Sequence, residues 1–129
     1  PILLDRGLVA ALESLAVRSA VTVRVVSSLP EGTTLPTELE RNAYFIAAEG
    51  ITNAVKHSGG SAIDLRVDAA DGTLVITVTD DGRGGAAPVD GHGLSGLQER
   101  VRGLGGTLDL SSPAGGPTVL IARLPLPAA

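Results

Sequence analysis

The stretch AIDLRVDAADGTLVITVTDDGRGG, Ala62 to Gly85, carries the reading that decides the fold. Ile63, Leu65 and Val67 alternate with Asp64, Arg66 and Asp68, and the β-branched run Thr73 to Asp80 follows. A period of two predicts two strands, 62–69 and 73–80. Asp71-Gly72 between them is a hairpin turn signal. The second strand ends on two carboxylates, Asp80 and Asp81, and then gives up most of its side-chain bulk at Gly82, Gly84 and Gly85. A turn could use such a run, as could a metal site or a pocket where backbone lies against a ligand.

Working outward, Thr37 to about His57 predicts a helix, with Thr37 and Glu40 spaced as in a capping box. Upstream, Val21–Val26 alternates and reads as a strand, and Ile2–Ala20 carries Leu4, Leu8, Ala11, Leu12, Leu15 and Ala16 at helical spacing. The Pro-, Gly- and Ser-containing stretch 27–36 is a loop. Downstream, 82–93 has no periodicity, a third helix runs from about Leu94 to Leu104 and stops at Gly105-Gly106, and strands TLDLSS and TVLIARLP follow. The tail from Leu124 to Ala129 is expected to fray. This order predicts an α/β fold: a two-layer α/β sandwich whose mixed, mostly antiparallel sheet of about five strands is covered on one face by three helices.

With 129 residues the chain is expected to form one domain, 1–129. Apolar residues make up 43% and aromatics only 2%, so the core must be built from Val, Leu, Ile and Ala. The absence of cysteine excludes disulfides and thiolate metal sites. A net charge of −4 offers nucleic acid no attraction. No apolar run reaches the roughly 18 residues of a membrane span, and no signal peptide opens the chain. The chain begins at Pro1 directly in a helical pattern, and we read it as a piece of a longer protein.

On a helical wheel of 37–57, Tyr44, Ala47, Ala48, Ile51 and Val55 form one stripe, the expected core face. Glu49, Asn53, Lys56 and His57 share the opposite side. Such a face is ordinarily just solvated. The alternative is a site in which Glu49 handles a proton, Asn53 ligates a hard cation through its amide oxygen, and Lys56 and His57 meet phosphate. Mg²⁺ arriving on a nucleotide needs no dedicated carboxylate cage.

Neither glycine cluster is specific alone. Gly91, Gly93 and Gly96 look like a dinucleotide fingerprint, but no strand leads into them, and no Walker phosphate loop is present. Glycines nonetheless admit close backbone approach, and a helix starting near Leu94 would offer free N–H groups to phosphate. A strand-end carboxylate such as Asp80 can accept a hydrogen bond from an exocyclic amine.

Taken in order, EGITNAVKH, DDGRGG, GHGLSGLQERV and GGPTVLIARLP resemble the ATP-binding catalytic domain of the superfamily that joins DNA gyrase, the Hsp90 chaperone, sensor histidine kinases and the MutL repair protein, which has the Bergerat fold. The sequence is most similar to sensor histidine kinases of the nitrate-sensor type, over nearly the whole chain. The resemblance implies ATP and Mg²⁺ as cofactors. It implies that Glu49 orients or deprotonates the nucleophile and that Asn53 holds Mg²⁺. Lys56 and His57 match positions near the phosphates. Asp80 matches the residue that reads the adenine amine, Gly82 and Gly84 the glycines beside it, and Asp81 a variable, solvent-facing position. Gly91, His92, Gly93 and Leu94 match the second glycine motif and the helix after it, and Thr118 matches a threonine that supports the adenine site.

Only six residues, 85–90, separate the two glycine motifs, which implies a short nucleotide lid without the Phe-bearing motif of many histidine kinases. Gly50 and Leu97 stand where the family usually has Ala and Met. Neither His57 nor His92 fits the phosphoacceptor, which the resemblance places on a dimerisation domain upstream in the same kinase. The expected activity is therefore protein-histidine kinase, with an isolated domain that binds ATP but barely autophosphorylates. A response regulator is the indirect partner, and neither nucleic acid nor membrane is contacted by this cytoplasmic domain. Anchoring of the parent to a membrane is left open. The alternatives are an anti-sigma-factor serine kinase or another ATPase switch of the superfamily.

Overall fold

A computed structural model describes residues 2–19, 21–29, 35–57, 62–81, 93–111 and 117–127. The elements in chain order are α1 (Ile2–Arg18), β1 (Thr22–Ser27), α2 (Thr37–His57), β2 (Ala62–Ala70), β3 (Thr73–Asp80), α3 (Gly93–Gly103), β4 (Thr107–Ser111) and β5 (Thr118–Pro125). The strands form one open sheet in the order β1-β2-β3-β5-β4. β1 pairs parallel to β2 and every other pairing is antiparallel. The two-layer α/β reading of the sequence is the observed fold.

The β2–β3 hairpin closes on Asp71 (φ 52°) and Gly72 (φ 74°). Both central residues have positive φ, as the preferred two-residue hairpin turn requires. Along β3, Leu74, Ile76 and Val78 point into the core while Val75, Thr77 and Thr79 face the other side. Leu65 and Val67 of β2 and Leu120, Ala122 and Leu124 of β5 join them under α1, α2 and α3. The opposite face carries the ion pairs Arg24–Asp64, Arg66–Asp68 and Arg123–Asp109. An antiparallel sheet with one solvated face tolerates this division.

The buried stripe of α2 is Ala43, Ile46, Ala47, Gly50, Ile51 and Ala54. This corrects the wheel centred on Tyr44, because Tyr44 and Ala48 are only half-buried and Val55 is 39% exposed. The stripe is rotated by roughly a quarter of a turn at about 100° per residue. Small residues let the helix approach the sheet closely, and proximity decided the face where hydrophobicity alone did not. At Gly50 an added Cβ would lie 3.0 Å from Val78 Cγ2 and 3.2 Å from Leu120 Cδ2.

The capping box is also corrected. The first helical bond of α2 runs from Glu40 N to Pro36 O, so Pro36 is the N-cap and Thr37 already lies inside the helix. The Glu40 carboxylate instead accepts from Leu8 N–H at 3.1 Å. Leu8 follows a kink that breaks α1 at Gly7. The end of α3 follows the sequence closely. Gly106 N donates to Val101 O and Gly105 N to Arg102 O, with Gly105 at φ 80°, a Schellman cap. The tail does not fray where expected, because Leu124 is fully buried in β5 and Leu126 N donates to Gly72 O at 2.8 Å.

Candidate nucleotide site

The inward series of β3 is Leu74, Ile76, Val78 and then Asp80, so a carboxylate occupies the fourth core position of an otherwise apolar strand. Asp80 is 2% exposed. The inward series of β5 begins with Thr118, 8% exposed, and continues with Leu120, Ala122 and Leu124. The β3–β5 register sets Asp80 directly opposite Thr118 and Val78 opposite Leu120. Residues so paired have Cα atoms about 4.5–5.5 Å apart. The core therefore ends in a polar pair, a carboxylate that accepts and a hydroxyl that can do either. Both residues are already engaged in interactions, as buried polar groups must be.

Helix α2 seats Gly50 on the neighbouring pair, Val78 and Leu120. One turn on from Gly50 stands Asn53, 8% exposed, at the edge of the buried stripe. Its Nδ2 is buried and has no hydrogen-bond partner among the described residues. Burying a polar atom without a partner costs about 1–3 kcal/mol. Turned end for end, the amide offers an oxygen at the same place. With its oxygen turned there, the side chain has the donor chemistry that a hard cation such as Mg²⁺ takes. Glu49, one turn before Asn53 on the same side, is half-buried. Among the described residues no cluster of three His, Cys, Asp or Glu could hold a metal alone.

Lys56 and His57 are the last two residues of α2, and their side chains lie outside the described residues, as do Gly82, Gly84, Gly91 and His92. Gly93 opens α3, one residue before the expected start at Leu94. Asp81 is exposed, as expected of a variable position, but it is engaged. Its carboxylate accepts from Ala62 N–H at 3.1 Å and its own N–H donates to Ala62 O at 3.3 Å, which fastens the end of β3 to the start of β2.

Two further features near these residues are explained only by contacts between distant positions. Arg100 of α3 stacks its guanidinium 3.9 Å over the Phe45 ring and donates to Asn42 Oδ1 at 3.3 Å. These contacts pin the helix that follows the glycine-rich segment to the turn of α2 just before Glu49. The residues lie more than fifty positions apart, and no periodicity links them. Gly50 is the second, since only the packed sheet reveals why that position lacks a Cβ.

The family model for histidine kinase-, DNA gyrase B- and HSP90-like ATPases matches residues 38–128. The chain belongs to that ATPase family. Membership implies that the chain binds ATP. The chain is 40% identical to the signal transduction histidine-protein kinase/phosphatase UhpB of Salmonella typhimurium over 60% of its own length, and 37% identical to the nitrate/nitrite sensor protein NarQ of Escherichia coli over 67%. It is thus a histidine-kinase ATPase domain with relatives of the nitrate-sensor type, and it spans 16% of the length of each of these two. The solved ATP-binding domain of PrrB from Mycobacterium tuberculosis superposes with a TM-score of 0.64 at 25% identity, covering 94% of this chain and 92% of that one. No helix among the described residues is long and apolar enough to cross a membrane.

Proposed function

We propose that residues 1–129 are the single ATP- and Mg²⁺-binding catalytic domain of a longer, two-component sensor kinase, and that it passes the ATP γ-phosphoryl group to a histidine on a separate dimerisation domain of the same protein. A response regulator then receives the group. The domain works in the cytoplasm and touches neither nucleic acid nor membrane. The observation that carries this reading is the buried polar corner, with Asp80 and Thr118 ending the core of the sheet and, on the helix above, a buried Asn53 amide nitrogen that has no partner among the described residues.

Asp80 accepts from the exocyclic amine of adenine, and Thr118 steadies the same edge. The glycines Gly82 and Gly84 leave room for the purine against backbone. Gly91, His92, Gly93 and Leu94, with Lys56 and His57, meet the phosphates, and the first N–H groups of α3 add a positive dipole end. Asn53 would hold Mg²⁺ through its amide oxygen, and the ion would supply charge neutralisation at the phosphates. Glu49 accepts a hydrogen bond from one ring nitrogen of the acceptor imidazole. The other ring nitrogen forms a bond to the γ-phosphorus as the bond to the departing ADP oxygen breaks. Without its acceptor domain the fragment binds ATP and barely autophosphorylates. The relatives are sensor histidine kinases, and nothing among them favours an anti-sigma-factor kinase.

Calorimetric titration with a non-hydrolysable ATP analogue and Mg²⁺ tests the reading. The wild type is expected to bind. Asp80→Asn, which places an amide donor against the adenine amine, abolishes binding, and Asn53→Ala removes its Mg²⁺ dependence. Absence of heat with the wild type at millimolar analogue, or unchanged binding by Asp80→Asn, refutes it.

A further inference from the structure

Helix α1 is broken at one residue. Gly7 has φ 85° and ψ 179°, a backbone region open essentially to glycine alone. In an uninterrupted helix Leu8 N–H would donate to Leu4 C=O. The break removes that acceptor and makes Leu8 the first residue of a new helical segment, whose amide is an orphan. Glu40 takes it: Oε2 lies 3.1 Å from Leu8 N, and Glu40 is 8% exposed. A buried carboxylate is costly unless hydrogen-bonded, and a helix N-terminus is where a negative charge is welcome. Glu40 lies in the opening turns of α2, nine residues before Glu49 and about 13 Å from it along the axis at about 1.5 Å per residue. From Leu8 onward the segment belongs to the core, with Leu8, Ala11 and Leu12 buried. The residues before Gly7 leave along a direction that Gly7 alone permits.

We propose that Gly7 and Glu40 form a two-state joint at the point where the incoming chain enters the core. In the bent state Glu40 holds Leu8 N–H and ties the first turn after the bend to the start of α2. In the straight state Leu8 N–H returns to Leu4 C=O and Glu40 loses its donor. The joint thereby sets the direction from which the upstream chain reaches the helix carrying Glu49 and Asn53. The bent and straight states do not rest on the function proposed above.

The chain has no cysteine, so spin labels at Asp5→Cys and Thr52→Cys are unique. Pulsed dipolar spectroscopy then reads the distance between the incoming segment and α2. The unmodified joint is expected to give one narrow distribution. Gly7→Ala shifts it, because alanine disfavours the bent backbone, and Glu40→Ala broadens it. Glu40→Gln, which keeps an acceptor oxygen, restores the narrow distribution. In the Gly7→Ala background Glu40→Ala changes nothing further. A distribution indifferent to Gly7→Ala, or a Glu40→Ala effect that persists in full in that background, overturns the joint. Calorimetry with the ATP analogue runs alongside. Its affinity stays at the wild-type value in the joint variants. Failure of the wild type to bind counts against the proposed function, and unmoved distances with intact binding count against the joint alone.

Discussion

Gly50→Ala puts one methyl between α2 and the sheet, where its size can be weighed. The new Cβ would stand 3.0 Å from Val78 Cγ2 and 3.2 Å from Leu120 Cδ2. Both contacts must open by a few tenths of an ångström. Leu120 can yield by turning its terminal methyls, but Val78 is β-branched, stiff at χ1 and fixed in the middle sheet strand. Alanine in place of a mid-helix glycine returns about 1 kcal/mol of helix propensity. Overpacking a tight core costs about 1–3 kcal/mol. The expected net is a loss of about 1 kcal/mol, or roughly 4 °C in Tm for a domain of this size. Urea unfolding of Gly50→Ala, measured in the wild-type and in the Val78→Ala backgrounds, separates the two effects. With Val78 truncated the clash is gone, and Gly50→Ala should become neutral or stabilising. A higher midpoint in the wild-type background, or an identical shift in both, would refute the reasoning. Because the neighbouring pair is Asp80 and Thr118, the same lift should weaken binding of the ATP analogue.

Other outcomes follow from single contacts. Gly106→Ala drives a Cβ into the carbonyl oxygen of Arg123, and backbone cannot yield as a side chain can; a loss of about 3 kcal/mol is expected by urea unfolding. Asn53→Ala removes a buried amide nitrogen without a partner among the described residues, so the ligand-free domain should gain up to about 1 kcal/mol, read as a higher urea midpoint while metal-dependent binding is lost. Thr118→Val keeps the shape of the first inward residue of β5 and removes its hydroxyl; affinity for the ATP analogue should fall about tenfold, equivalent to about 1.4 kcal/mol, read by calorimetry.

Much of this was legible from local pattern. The strands of the hairpin, its Asp71-Gly72 turn, the span of α2 and the glycine stop of α3 all follow from periodicity and turn chemistry, which act between neighbours in the chain. The candidate site was partly legible for the same reason. Asp80 falls in phase with Leu74, Ile76 and Val78, so its burial was written in the alternation, although the reason for placing a carboxylate there was not. Where the reading failed, distant contacts had the deciding vote. The face of α2 turned because small residues fit against β3 and β5, and Glu40 left its own helix end for an amide 32 residues earlier.

The sequence by itself determined which segments are helix or strand, that the core is aliphatic, and which residues could carry nucleotide chemistry, because backbone propensity and side-chain period are properties of short stretches. Only the tertiary structure decided that Asp80 lies across from Thr118, that the Asn53 amide nitrogen is buried with no partner among the described residues, that Arg100 rests on Phe45, and that α1 breaks at Gly7 to meet Glu40. Those facts depend on strand register and on how closely a helix settles on a sheet. Both are fixed by packing between residues that the sequence keeps far apart.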